Sequence, residues 1–166
     1  MSLQGQFKEA IECIERGLYI RKLTGVKCML SGTLGTLALL HAKIGEVDAG
    51  LKVLSEALES VEETGERYWE AEFHRLHAEL LLMKGDGVGA ETSLVKAIEV
   101  ARVQKAKSWE LRAATDLAGL WREQGKTAQA YQLLSEIYGW FTEGFDTPDL
   151  LSARALLDEL TQDIHF

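Results

Sequence analysis

The sequence predicts an all-α protein, a solenoid of antiparallel helix hairpins with a 40-residue period. Three observations carry this. The composition favours helix, since Leu, Ala and Glu dominate and the chain holds one proline and no asparagine. Glycines stand at Gly5, Gly45, Gly85 and Gly125, each 40 residues after the last. Columns of small and apolar residues keep step with them: Ala10, Gly50, Ala90 and Ala130; Ile14, Leu54, Leu94 and Leu134; Gly17, Ala57, Ala97 and Ile137; Ala38, Ala78 and Ala118. A repeat that holds register without insertion outweighs any local propensity.

Each repeat reads as a helix, a tight turn and a second helix. Small residues let the two helices approach closely, and large neighbours such as Leu81 and Trp121 fill the space between. The recurring glycine falls between two runs of helical periodicity, where a positive φ costs it little. One hairpin cannot bury its apolar face alone, so neighbours stack.

The pattern predicts about eight helices, over 6–23, 26–44, 47–63, 67–84, 88–104, 108–124, 127–141 and 148–162. Residues 26–63, 67–104 and 108–141 form full repeats within a single domain spanning 1–166. Residues 5–23 match only a second helix, so the chain opens in mid-repeat and reads as a piece of a longer solenoid. Met1, Ser2 and Leu3 stand ahead of the repeat and are expected to be an added leader. The last helix has a strong start: Thr147 to cap, Pro148 for the first turn and Asp149 to complement the dipole. Asp158 falls where Ala118 would repeat, so this helix is expected to cap the stack with a polar outer side.

Composition narrows the function. The formal net charge is −8, the wrong sign for a nucleic-acid or anionic-membrane surface. No apolar run approaches the roughly 18 residues of a membrane span, and the N-terminus has no signal core. Cys13 and Cys28 are expected as reduced, small apolar residues on neighbouring helices, which points to the cytoplasm.

Candidate chemistry dissolves into the repeat. His74 and His77 share a helix face at a spacing that could hold a metal. However, position 77 is the packing position that Leu37 and Leu117 fill elsewhere, so both read as half-buried structural histidines. Gly125-Lys126-Thr127 resembles a phosphate loop, but five residues rather than four separate Gly119 from Gly125, and no strand precedes them. Gly85-Asp86-Gly87-Val88-Gly89 lacks the strand a dinucleotide site needs. No Ser/His/Asp or Cys/His set and no paired acid and base stand out, so no catalytic residue, metal or cofactor is expected. Tyr138, Trp140, Phe141 and Phe145 cluster before the last helix. They read as packing for the cap, with an aromatic docking patch as the sharper alternative.

The columns through Ala78, Leu81, Gly85, Ala90, Leu94 and Ala97, repeated at Ala118, Trp121, Gly125, Ala130 and Leu134, resemble the tetratricopeptide repeat (TPR) consensus, with a longer unit. Residues 65–85, 106–126 and 138–160 further resemble the C-terminal repeats of bacterial multidomain proteins that carry a class III adenylate/guanylate cyclase and a central ATPase module. That resemblance implies a non-catalytic regulatory tail of a bacterial signalling protein, the catalytic residues belonging to other domains. It also implies a groove lined by first helices: Leu39, Ala42 and Lys43; Glu72, Arg75, Glu79 and Leu82; Arg112, Thr115, Gly119, Arg122 and Glu123. Arg75, Arg112 and Arg122 could hold an acidic peptide or an anion, or form surface pairs with nearby carboxylates. The expected partner is a protein or peptide, including other domains of the same chain, and self-association through the open N-terminal end is a further expectation. The grooves that clamp chaperone tails use asparagine, which is absent here. The alternative is the small-molecule-sensing domain of an ATP-dependent transcription regulator.

Overall fold

The computed structural model describes residues 3–24 and 30–165, and every regular element among them is helical. The helices are α1 (Leu3–Thr24), α2 (Leu30–Lys43), α3 (Val47–Thr64), α4 (Glu70–Met83), α5 (Gly87–Gln104), α6 (Lys107–Glu123), α7 (Thr127–Tyr138) and α8 (Pro148–His165). A single 3-10 turn, Arg67–Trp69, leads into α4. Expected boundaries hold within a few residues, with two differences of substance. Residues 67–69 wind more tightly than an α-helix, and α7 stops at Tyr138 rather than 141. The expected start of the second helix at 26, residues 1–2 of the expected leader and Cys28 lie outside the described residues.

The chain divides into two compact units, residues 1–86 and 87–166. In the first, α1 packs on α2, α2 on α3, and α4 on both α2 and α3. Its core joins Leu34, Ala38, Leu54, Ala57, Val61, Phe73, Leu76 and Leu80. Helix α3 shows how periodicity selects this face: Leu54, Ala57 and Val61 are buried, while Lys52, Ser55, Glu56, Glu59 and Glu62 are exposed. In the second unit α5, α6 and α7 pack in sequence, and α8 lies against both α6 and α7. Leu94, Leu111, Leu117, Leu134 and Leu160 are its fully buried leucines. Truncating one to alanine costs about 2–5 kcal/mol by the usual cavity rule.

The glycine column closes the hairpins as its spacing predicts. Gly45, Gly85 and Gly125 have φ of 84°, 79° and 76°. In each case the glycine N–H bonds the carbonyl three residues back, and the following N–H bonds the carbonyl five back: Gly45 to Ala42 and Glu46 to His41, Gly85 to Leu82 and Asp86 to Leu81, Gly125 to Arg122 and Lys126 to Trp121. This is the Schellman closure. The residue after the glycine also opens the next helix, as Gly50 N–H on Glu46 O and Ala130 N–H on Lys126 O show. The turn is so short that no Ser or Thr side-chain cap is used there.

The turns between repeats follow a second column, Gly25, Gly65 and Lys105 in sequence. Gly65 has φ 72° and Lys105 has φ 56°, the one positive φ outside glycine among the described residues. Lys105 and Ala106 still close α5 in the Schellman manner, on Arg102 O and Ala101 O.

Close approach is real at Gly50. A Cβ there would lie 3.0 Å from the carbonyl oxygen of Ala38 and 3.0 Å from Leu80 Cδ1. Gly35 and Gly32 of α2 serve the aromatic rings of α4 and its lead-in turn: an added Cβ would sit 3.1 Å from Phe73 and 3.3 Å from Trp69. Gly17 differs, since nothing lies within 4 Å of its Cβ position. Helix α1 instead turns Ile11 inward, with Leu18 partly buried against the core, and leaves Cys13 exposed. The expectation that Cys13 packs as a small apolar residue is thereby corrected. At the start of α8 the Thr147 carbonyl receives Leu151 N–H, as an N-cap residue does, and Thr147 Oγ1 donates to Gly144 O at 2.8 Å.

Two substitutions test these backbone positions. Gly50→Ala copies the residue of its own column, yet it should destabilise, because overpacking against a backbone carbonyl costs about 1–3 kcal/mol against about 1 kcal/mol of helix propensity gained. Lys105→Gly should stabilise by about 0.5–1 kcal/mol, since relief of the left-handed lysine exceeds the added unfolded-state entropy. Thermal unfolding followed by circular dichroism, with a shift of about 2–4 °C per kcal/mol, checks both signs.

Candidate functional site

The residues expected to line a groove fall on α2 and α4 in the first unit and on α6 in the second. Helical spacing puts Glu72, Arg75 and Glu79 one turn apart along α4. Arg75 donates Nε to Glu72 Oε2 and Nη2 to Glu72 Oε1, both at 2.9 Å, and its Nη1 lies 3.5 Å from Glu79. The Arg75 and Glu72 side chains are only 17% and 11% exposed, so this forked pair is largely removed from water. Lys43 is exposed at the end of α2, whereas Ala42 is buried and Leu39 packs partly into the core.

In the second unit, α6 directs its arginines at α8. Arg112 Nε bonds Asp149 at 2.7 Å, with its guanidinium 5.0 Å from the Trp109 ring. Arg122 donates to Asp163 at 2.6 Å and also to Glu159, which together raise its already high pKa, the Asp163 hydrogen bond foremost. Thr115 Oγ1 donates to the Leu111 carbonyl within its own helix, and Glu123 is exposed. Each of the three arginines thus carries a carboxylate partner within its own unit. An incoming anion would have to share or displace these.

Two charge clusters were not expected. Glu70 and Glu110, 40 residues apart, are both buried, at 8% and 2% exposure. A cation three residues earlier answers each: Arg67 Nη1 bonds Glu70 at 2.8 Å, and Lys107 Nζ bonds Glu110 at 2.6 Å. The third member comes from the preceding helix and changes sign. Glu62 accepts Arg67 Nη2 on both its oxygens, at 2.8 and 2.9 Å, whereas Arg102 donates Nε to Glu110 at 2.8 Å. Burial alone would raise the Glu110 pKa, but the hydrogen bonds from Arg102 and Lys107 outweigh it and hold the carboxyl below its usual range. The 40-residue spacing of Glu70 with Glu110, and of Arg67 with Lys107, was the available signal.

The second cluster centres on Glu91, which accepts Trp121 Nε1 at 2.8 Å, Lys126 Nζ at 3.1 Å and Gln124 Nε2 at 3.2 Å. These bonds, led by that from Trp121, lower its pKa. Lys126 of the phosphate-loop-like tripeptide is therefore engaged with a carboxylate between α5 and the start of α7. His77 is half-buried, and burial lowers its pKa against a smaller opposing pull from Asp86. Of the aromatic cluster, Tyr138 packs on Phe145 at 5.8 Å and Trp140 on Phe141 at 5.2 Å. Trp140 nonetheless stays 59% exposed.

No family model matches the chain, and no curated protein does. Solved structures resemble it along nearly its whole length. A Podosopora anserina protein of kinesin light chain type with nearly identical TPR-like repeats, in a form carrying one substitution, superposes with a TM-score of 0.73, at 19% identity over 95% of this chain and 78% of that one. The same protein without the substitution gives 0.72 at 18% identity, covering 95% and 79%. BtubC (BKLC) from P. vanneervenii gives 0.74 at 16% identity, covering 95% and 73%. The chain therefore has an all-helical, TPR-like repeat fold, as its columns predict.

The Glu110 cluster generates a pH prediction. A carboxyl held below its unfolded value contributes stability that is complete above that value, near 4.5, and is lost as pH falls through the folded value. The wild-type urea midpoint should fall as pH drops below about 5. Glu110→Gln should cost about 1.5–3 kcal/mol near neutrality and flatten this acid limb. An unchanged acid limb in the variant would assign the dependence to other carboxylates.

Proposed function

We propose that this chain is a non-catalytic protein-interaction scaffold, the regulatory tail of a bacterial cyclase-like signalling protein. The observation that supports the reading best is its scaffold of TPR-like repeats, which holds mixed-charge first-helix faces in fixed hydrogen-bonded arrays. On α4 the array is Glu72, Arg75 and Glu79, with Lys43 at the end of α2. On α6 it is Arg112, Thr115, Arg122 and Glu123. On either face a docked protein or peptide segment exchanges its own carboxylates and cations into the pairs there, so recognition rests on matching an alternating ladder rather than on net charge. Occupancy then biases an attached catalytic module by its differential affinity for that module's states. The cytoplasm is the setting this role needs. The stretch 138–160, which resembles the repeats of the cyclase-associated proteins, supports the finer assignment. Helix α8 fits the role of a terminal cap, with Leu150, Ala153 and Leu160 buried and Asp158 exposed.

The gene around this chain tests the context. A class III cyclase fold and an ATPase module upstream are expected, and a helix-turn-helix module there would favour the small-molecule sensor instead. The face is tested by titrating the parent's catalytic region into the chain by calorimetry. Arg75→Ala, Arg112→Ala and Arg122→Ala should each weaken binding about tenfold, or about 1.4 kcal/mol, without loss of helical signal. Equal affinity in all three variants would place the partner elsewhere.

A further inference from the structure

The turn between α5 and α6 is a local exception in an acidic chain. Arg102, Lys105 and Lys107 stand within six residues, and Arg102 and Lys107 both bond the one carboxylate Glu110. Glu99, one turn before Arg102, is already engaged by Lys96 at 3.5 Å. The same turn presents Val103, 84% exposed. Trp140 reaches it from the segment after α7: Lys107 Nζ sits 5.5 Å from the centre of its ring, and Phe141 braces the indole edge to face. An exposed indole and a cation therefore meet at Lys107, and an exposed valine stands four residues before it on the same turn. Trp140 and Val103 lie outside the core, at 59% and 84% exposure.

We propose that this surface, distinct from the faces of α4 and α6, docks an acidic peptide segment of a partner protein that carries one aromatic or leucine anchor. The indole and Val103 offer the apolar contact, and a tryptophan is among the residues most often dominant in binding energy. Arg102, Lys105 and Lys107 receive the flanking carboxylates. Charge complementarity decides the partner's sign. The rest of the chain is strongly acidic, so an acidic segment is repelled elsewhere and drawn to this turn, which sets both place and orientation.

A phage-displayed random dodecapeptide library selected on the intact chain tests this. The enriched peptides should carry net negative charge with a Trp, Phe, Tyr or Leu among the acids. Synthesised and measured by fluorescence anisotropy, they should lose about tenfold in affinity in Trp140→Ala and again in Lys105→Gly. The latter removes a cation while relieving the backbone, so a binding loss there cannot come from unfolding. Raising salt from about 0.05 to about 0.5 M should weaken binding further. Peptides without acidic enrichment, or with full affinity in both variants, would overturn the proposal. So would peptides lost only in Arg75→Ala, which places them on α4. Sedimentation showing a wild-type dimer that Trp140→Ala makes monomeric would identify a second copy as the occupant and equally overturn it.

Discussion

The hairpins α2–α3, α4–α5 and α6–α7 each turn on one glycine held at positive φ, and the helix packing depends on where that residue falls. The Schellman closure commits two successive N–H groups to carbonyls of the helix just ended, and the residue that donates the second bond starts the next helix. With no spare residue in the connection, the second helix has little freedom in angle or register. The small-residue column five positions on from the glycine must then face the first helix, which is why Gly50 meets the Ala38 carbonyl at a distance a side chain would violate. The leucines that complete the core follow from the same registration.

Electrostatics is layered on this frame and is mostly local. The i, i+3 and i, i+4 spacings along α4 produce the Glu72–Arg75–Glu79 ladder. The α6 arginines do something different, because their acceptors Asp149, Glu159 and Asp163 belong to α8. Exposed pairs of this kind contribute little to stability, because water screens them. They therefore orient α8 more than they hold it. Its attachment rests on Leu150, Ala153 and Leu160, which are buried nearly completely.

Most of the fold was legible because the repeat is nearly exact in length. Columns at Gly45, Gly85 and Gly125, and at Leu54, Leu94 and Leu134, report tertiary positions directly. What escaped had physical causes. Cys13 is apolar in type, but α1 points Ile11 and Leu18 inward and Cys13 out, and a short periodic run does not fix that rotation. Thr147 was legible as the residue that opens α8, but the bond from its hydroxyl to the Gly144 carbonyl was not, because it depends on a left-handed Gly144. The buried Glu70 and Glu110 escaped because a carboxylate reads as solvated surface, and its burial becomes visible only once its cations are placed. The arginines of the expected groove were legible as residues. The partners of two of them, Asp149 for Arg112 and Asp163 and Glu159 for Arg122, stand 37, 41 and 37 positions away in the chain.

The Glu70 and Glu110 clusters share a fixed pair, a buried carboxylate and the cation three residues before it, plus one outer residue drawn from the preceding helix. In one repeat that outer residue is an acid held by the cation, and in the other it is a base held by the carboxylate. Both arrangements satisfy the same socket. The outer position is thus a free variable whose sign sets the charge of the inter-repeat turn while the socket stays intact. One substitution at that position reverses the charge of a turn, and with it the partners the turn attracts, while the buried carboxylate keeps the cation three residues before it. Recognition and stability are separable at these turns, and the repeats can diversify in the first without reopening the second.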